Sequence, residues 1–286
     1  MTTRRFVDIF SLRFVQVSQA IKECSKLMSG PVDIVSSSNA RFKTWKTLLG
    51  SRGIKQHNLA LVSGSKLVRE IIRLKPDSVR GCISTIKGEP DPELVSGIPW
   101  FRLENSMFRE LDVHGTGYPL ILVTIPDIPD CDSLTFGNAI TLLIPFQDPV
   151  NVGAVIRSAA AFGMDMIVLL SEAALPFHPK SIRAGGTAVF QVSYRNGPSI
   201  DQLDTVPVPI VGLSTDGVPV SDFTFPEQCA LLPGLEGPGL PSGVTADFTV
   251  SIPIEPHVES LNAAVAVSIA LYEYRRKIAG NLKNKT

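Results

Sequence analysis

Apolar residues recur along this chain in two rhythms. Short, nearly continuous runs have the length and β-branched content of buried strands: LALV at 59–62, GCISTI at 81–86, IPWFRL at 98–103, PLILVTI at 119–125, AITLLIP at 139–145, MIVLL at 166–170, VPIVGLS at 208–214, CALLPG at 229–234 and FTVSIPI at 248–254. Other stretches place apolar residues three and four apart, which predicts helices. These are FVQVSQAIKECSKLM within residues 1–30, SKLVREIIRL at 65–74, and the segments 152–162, 178–185 and 258–279. Strands alternating with helices predict an α/β fold, with a mostly parallel sheet covered on both faces in the C-terminal half. Pro31 ends the first helix, and Pro126 and Pro129 mark a connection. The chain therefore divides into a helical extension (1–30), a smaller α/β domain (31–117), a linker (118–136) and a second domain (137–286).

A 44% hydrophobic content with 19% charged residues excludes a disordered or fibrous chain. Lys+Arg and Asp+Glu both number 27, but they are unevenly spread. Residues 1–75 hold 14 basic and 4 acidic side chains, and the remainder holds 13 and 23. Such asymmetry points to a polyanion at the basic end, although charge alone fits a solvated face equally well. Cys24, Cys82, Cys131 and Cys229 lie too far apart for a zinc motif, and His57, His114, His178 and His257 are scattered, so no metal is expected. No run of 18 apolar residues predicts a membrane span, and Arg4, Arg5, Asp8 and Arg13 break up any signal-like stretch. A soluble cytoplasmic protein with reduced thiols is the expectation.

Three motifs carry chemistry. Asn151-Val152-Gly153 runs to Arg157 and on to Phe162-Gly163, with Asn151 read as a helix cap and Val152, Val155, Ile156, Ala159 and Ala160 as its buried stripe. Gly153 is read as room for a ligand or second chain beside Arg157. Next, a strand enters Pro233-Gly234-Leu235-Glu236-Gly237-Pro238-Gly239. That loop is neither GxGxxG nor a P-loop, which disfavours a nucleotide-dependent enzyme on an ordinary doubly wound sheet. Last, Ser260-Leu261-Asn262 opens a helix rich in alanine and valine. Each motif alone also fits plain structure: a capped helix, a tight turn, a core helix.

In this order they resemble the SpoU (TrmH-type) RNA ribose 2′-O-methyltransferases of the SPOUT superfamily. The resemblance rests on Asn151, Gly153, Arg157 and Phe162-Gly163; on Gly234, Glu236, Gly237 and Gly239; and on Ser260, Leu261 and Asn262. His178-Pro179-Lys180-Ser181-Ile182-Arg183-Ala184-Gly185 is similar to the family's segment after its second strand. Val150 and Leu235 depart from the family, where a glycine and a serine are common. More weakly, residues 31–115 are similar to the family's RNA-recognition domain, itself like a small ribosomal protein.

The resemblance implies a trefoil-knotted SPOUT domain, a homodimer, and S-adenosylmethionine as cofactor. The cofactor would lie against Leu213, Ser214, Leu232, Gly234, Glu236, Gly237, Ile252, Ile254, Leu261 and Asn262. Arg157, Asn151, Glu236, Ser260 and Asn262 would form the catalytic set, with Arg157 holding a phosphate and steadying the developing alkoxide, since a guanidinium stays protonated. Arg41, Lys43, Lys46, Arg52 and Arg183 would contact RNA, and Phe42 and Trp45 would either stack on an unpaired base or, as aromatics in a helix more often do, pack in the core. Ribosomal RNA is the expected substrate. Transfer RNA and a non-catalytic RNA-binding role are the alternatives.

Overall fold

The structure, a computed structural model, describes residues 30–136, 140–164, 166–235, 239–241 and 243–283. The helix expected within 1–30, apart from Gly30, falls outside them. The chain separates into two compact units between Ile125 and Pro126.

The first unit is a five-stranded mixed sheet with helices. Its elements are β1 (Val32–Ile34), α1 (Ala40–Thr47), α2 (Ser51–His57), β2 (Leu59–Val62), α3 (Ser65–Leu74), β3 (Val79–Thr85), α4 (Pro92–Val95), β4 (Trp100–Leu103), α5 (Asn105–Leu111) and β5 (Leu120–Thr124). The strand order is β1-β4-β3-β5-β2. β5 runs antiparallel between β3 and β2. This corrects the expected linker, because 120–124 is a central strand and four of its five residues are buried. The two prolines beyond it draw the apparent boundary too early. Asn39 caps α1, its side-chain oxygen accepting from the Arg41 N–H at 2.9 Å. Phe42 and Trp45 are buried, and Trp45 meets Phe101 of β4 at 5.1 Å. These two aromatics are core, not stacking platforms: at i and i+3 they form the one apolar face that α1 turns inward.

The second unit is a six-stranded sheet, and every neighbouring pair is parallel. Its elements are β6 (Ile140–Ile144), α6 (Pro149–Ala161), β7 (Met166–Leu169), α7 (Pro179–Gly185), β8 (Ser193–Asn196), β9 (Ile210–Pro219), β10 (Cys229–Pro233), β11 (Phe248–Ser251) and α8 (Ala263–Lys283). The order β11-β9-β10-β6-β7-β8 has a reversal between β6 and β10. The proline stretch lies along the β8 edge, where Asn196 Nδ2 donates to the Ile128 carbonyl at 2.7 Å. Proline is tolerated at such an edge because no inner ladder needs its missing N–H. Leu143, Val168, Ala230 and Leu232 from the middle strands join Phe136, Ile200 and Leu203 in one core. Burial pushes the Cys82 thiol up to about 12 and Cys229 up to about 11, so both act as small apolar groups.

α6 begins earlier than its apolar spacing suggests. Asp148, not Asn151, is the cap and accepts from the Val150 N–H at 3.0 Å, with Pro149 at the first helical position. Asn151 is thereby released from capping. Gly153 does not open space for a ligand either: a Cβ there would stand 2.2 Å from the Ser181 carbonyl oxygen of α7. The glycine lets α6 and α7 cross at backbone distance. Ala160 is only partly buried, whereas the rest of the expected stripe is buried.

Candidate active site

In an open parallel sheet, ligands sit at the carboxyl ends of strands, beside the point where strand order reverses. Here a cavity of about 350 Å³ occupies that place. It falls within the roughly 300–1,000 Å³ typical of small-molecule sites.

Four segments build its wall. The first is Leu213, Ser214 and Thr215 of β9. Pairing with β11 passes from Thr249↔Gly212 directly to Val250↔Val218, so residues 213–217 stand out from that ladder. The second is the end of β10, with Pro233, Gly234, Leu235 and Gly239. Leu235 and Gly239 exchange backbone hydrogen bonds of 2.8 and 3.1 Å, closing the stem of the glycine-rich loop. A Cβ on Gly234 would stand 2.4 Å from the Gly239 backbone, so only glycine lets this loop fold back. Val250, Ile252 and Ile254 form the third segment. The fourth joins Asn151 at the start of α6 to Ser260, Leu261 and Asn262, which lead into α8.

One contact ties that fourth wall together. Asn262 Nδ2 donates to Asn151 Oδ1 at 3.0 Å, across 111 residues of sequence. Asn262 Oδ1 meanwhile accepts from the Ala264 and Val265 N–H groups at 3.0 and 3.3 Å, capping α8. The cap sets the orientation of the amide, and the amide in turn sets Asn151. Asn262→Ala is expected to cost about 1 kcal/mol, a fall of roughly 2–4 °C in thermal melting. Asn262→Asp keeps the cap and should melt near the wild type. Equal melting of the two variants would show that the cap contributes nothing.

Most of the expected cofactor residues converge here: Leu213, Ser214, Gly234, Ile252, Ile254, Leu261 and Asn262 all line the cavity. Leu232 does not, because its side chain is fully buried in the core beneath it. Glu236 and Gly237 lie outside the described residues. Of the expected catalytic set, Asn151, Ser260 and Asn262 are at the cavity. Arg157 is exposed on α6 and is not part of the wall. It shares an outward face with Val150, Ala154 and Ala161, at positions i, i+4, i+7 and i+11. Beside that face an apolar groove runs along Ala154, Phe162, Val265, Ile269 and Tyr272. Arg183 is exposed near the end of α7, while Arg41, Lys43, Lys46 and Arg52 are exposed in the first unit. Lys46 is paired with Glu110 at 2.7 Å, and the Arg41 guanidinium lies 5.0 Å from the Phe101 ring centre. The expected cofactor and catalytic residues leave out Thr215, Pro233, Leu235, Gly239, Val250, Ala263 and Ala266, which also line the wall.

Among the described residues no group of three or more His, Cys, Asp or Glu is placed to hold a metal ion, and no helix is long and apolar enough to cross a membrane.

Residues 138–272 match the SpoU rRNA Methylase family. That span includes β6 to β11, the cavity and the first ten residues of α8. The Ribosomal RNA small subunit methyltransferase G 2 of Syntrophobacter fumaroxidans is 44% identical over 257 residues, which is 89% of this chain but only 51% of that protein. The 23S rRNA (guanosine(2553)-2′-O)-methyltransferase RlmP of Bacillus subtilis is 29% identical over 85% of this chain and 98% of its own length. Among solved structures, the SpoU methyltransferase AviRb from Streptomyces viridochromogenes, in complex with AdoMet, superimposes with a TM-score of 0.69 at 26% identity. The match covers 84% of this chain and 98% of that one. The parallel sheet with its helices is thus the SpoU fold.

Proposed function

We propose that this chain transfers a methyl group from S-adenosylmethionine to a ribose 2′-hydroxyl in RNA, with ribosomal RNA as substrate. The observation that carries the reading is the Asn262–Asn151 hydrogen bond at the rim of the cavity, which joins the first and third SpoU motifs at one point. The RlmP and AviRb likenesses support the same chemistry.

The cavity suits the cofactor. Leu213, Val250, Ile252 and Leu261 offer an apolar slot for a flat purine, and Ser214, Thr215 and Ser260 offer hydroxyls for the ribose and charged tail. When bound, S-adenosylmethionine supplies an electrophilic methyl on a sulfonium. The protein's task is then to align the hydroxyl and favour loss of its proton. Asn151 and Asn262 present fixed amides at the rim, with Ser260 beside them. Glu236 would add a carboxylate from the loop. Arg157 donates from its guanidinium to the substrate phosphate and steadies the developing alkoxide, and the proton passes to water or a neighbouring acceptor.

We further propose a homodimer seated on the groove of Phe162, Val265, Ile269 and Tyr272, which brings a second copy beside Arg157. The knotted threading of the SPOUT fold, a ribosomal-protein-like first unit contacting RNA through Arg41, Lys43, Lys46 and Arg52, Arg183 as a further contact, and a cytoplasmic location complete the reading.

The test is methyl transfer from labelled S-adenosylmethionine to unmodified ribosomal and transfer RNA, followed by digestion to nucleosides. Label in a 2′-O-methylated nucleoside of ribosomal RNA is expected. Label on transfer RNA alone would change the substrate. Cofactor binding with no transfer to either RNA would overturn the enzyme reading in favour of an RNA-binding protein.

A further inference from the structure

We propose that the outer face of α3, formed by Lys66, Arg69 and Arg73, is a phosphate-contacting surface for RNA. The proposal rests on the RNA reading above but concerns a face of the first unit that includes none of the expected contacts Arg41, Lys43, Lys46 and Arg52.

α3 is two-sided. Val68 and Ile71 are buried, while Lys66, Arg69 and Arg73 are all exposed at positions i, i+3 and i+7. At 1.5 Å per residue they draw a line of positive charge about 10 Å long. An ordinary solvated helix mixes signs along its outer face, with carboxylates three or four residues from each cation. This one has a single carboxylate, Glu70, which is 3.8 Å from Lys66. Among the described residues Arg69 and Arg73 have no ion-pair partner, although the Arg69 guanidinium lies 5.6 Å from the Tyr118 ring centre.

The surroundings reinforce the line. Residues 40–80 hold ten Lys/Arg and two Asp/Glu, a net charge of +8. Two other cations of this unit are paired: Lys46 with Glu110, and Arg102 in a two-pronged contact with Asp33 at 2.6 and 2.8 Å. On α3, Arg69 and Arg73 are left without a carboxylate partner among the described residues, one helical turn apart on the same exposed face. A polymer of regularly spaced phosphates complements such a row, and releasing its counterions supplies the affinity.

The experiment is filter binding of unmodified ribosomal RNA to the full chain over a series of salt concentrations. The variant carries Lys66→Gln, Arg69→Gln and Arg73→Gln together. Removing one cation–phosphate pair makes the slope of log K against log salt shallower by roughly 0.7–0.9, so the triple variant should be shallower by about 2. Affinity near 0.1 M salt should fall on the order of 10-fold, with KM for RNA raised and kcat at saturating RNA unchanged. Glu70→Gln should tighten binding. If the triple variant melts lower than the wild type, Lys66→Gln/Arg73→Gln keeps the Arg69–Tyr118 pair and its slope should still be shallower by about 1.4.

Unchanged affinity and slope in these variants, with methyl transfer intact, would overturn this surface alone. Wild-type binding that needs α3 but yields no methyl transfer would remove the enzyme reading and keep the surface.

Discussion

Gly153→Ala is expected to lower the melting temperature by roughly 6–12 °C, a loss of about 3 kcal/mol or more. Helix propensity alone argues the other way. Alanine in place of glycine inside a helix is ordinarily worth about 1 kcal/mol in favour. Sterics decide the sign here. The added Cβ would sit 2.2 Å from the Ser181 carbonyl oxygen and 2.9 Å from the Ala184 Cβ, and a backbone carbonyl has no rotamer by which to move aside. α6 and α7 would have to part. Gly185 leaves no slack on the other side, because a Cβ added there would itself stand 2.9 Å from the Gly153 carbonyl oxygen. Since α6 also carries Asn151, the rim of the cavity should shift with it, so cofactor affinity should fall too. Gly243→Ala is the control: nothing lies within 4 Å of the Cβ it would gain, and its melting should stay near the wild type. A Gly153→Ala protein melting within about 2 °C of the wild type would show that the crossing tolerates a methyl group.

The strands of the second unit were legible because a parallel sheet buries both faces, and the resulting runs, such as ITLLI and CALLP, are hard to read otherwise. The cavity was legible only through the order of its motifs, since its walls come from segments far apart in sequence. What escaped had local causes. PLILVTI read as a strand, but Pro126 and Pro129 drew the boundary forward of it; only the pairing with β2 and β3 returns it to the first sheet. Asn151 looked like a cap because it is an asparagine ahead of an apolar stripe. Asp148 followed by proline was the better signal, as proline needs no N–H acceptor at the first helical position. Gly153 shows the deeper limit. A glycine one turn from an arginine says that something comes close, but not whether it is a ligand or the next helix. Phe42 and Trp45 carried the same ambiguity, and a neighbouring sheet resolved it.

Arg157→Ala should lower kcat by roughly 10²–10³-fold, about 3–4 kcal/mol of transition-state stabilisation, while leaving cofactor affinity within about 2-fold of the wild type. The two halves of this expectation come from one observation. Arg157 is exposed on the outward face of α6 and takes no part in the cavity wall, so its removal should not disturb the cofactor. On the proposed function its work lies with the RNA, where a guanidinium can hold two phosphate oxygens at once and stay charged while negative charge grows on the 2′-oxygen. Arg157→Lys separates those contributions. It keeps the charge but not the planar fork, so an intermediate rate is expected, with KM for RNA raised. Full activity in the lysine variant would reduce the requirement to a single positive charge. Cofactor affinity falling in step with kcat in the alanine variant would place Arg157 in the cofactor site instead. An alanine variant with kcat near the wild type would remove Arg157 from the chemistry.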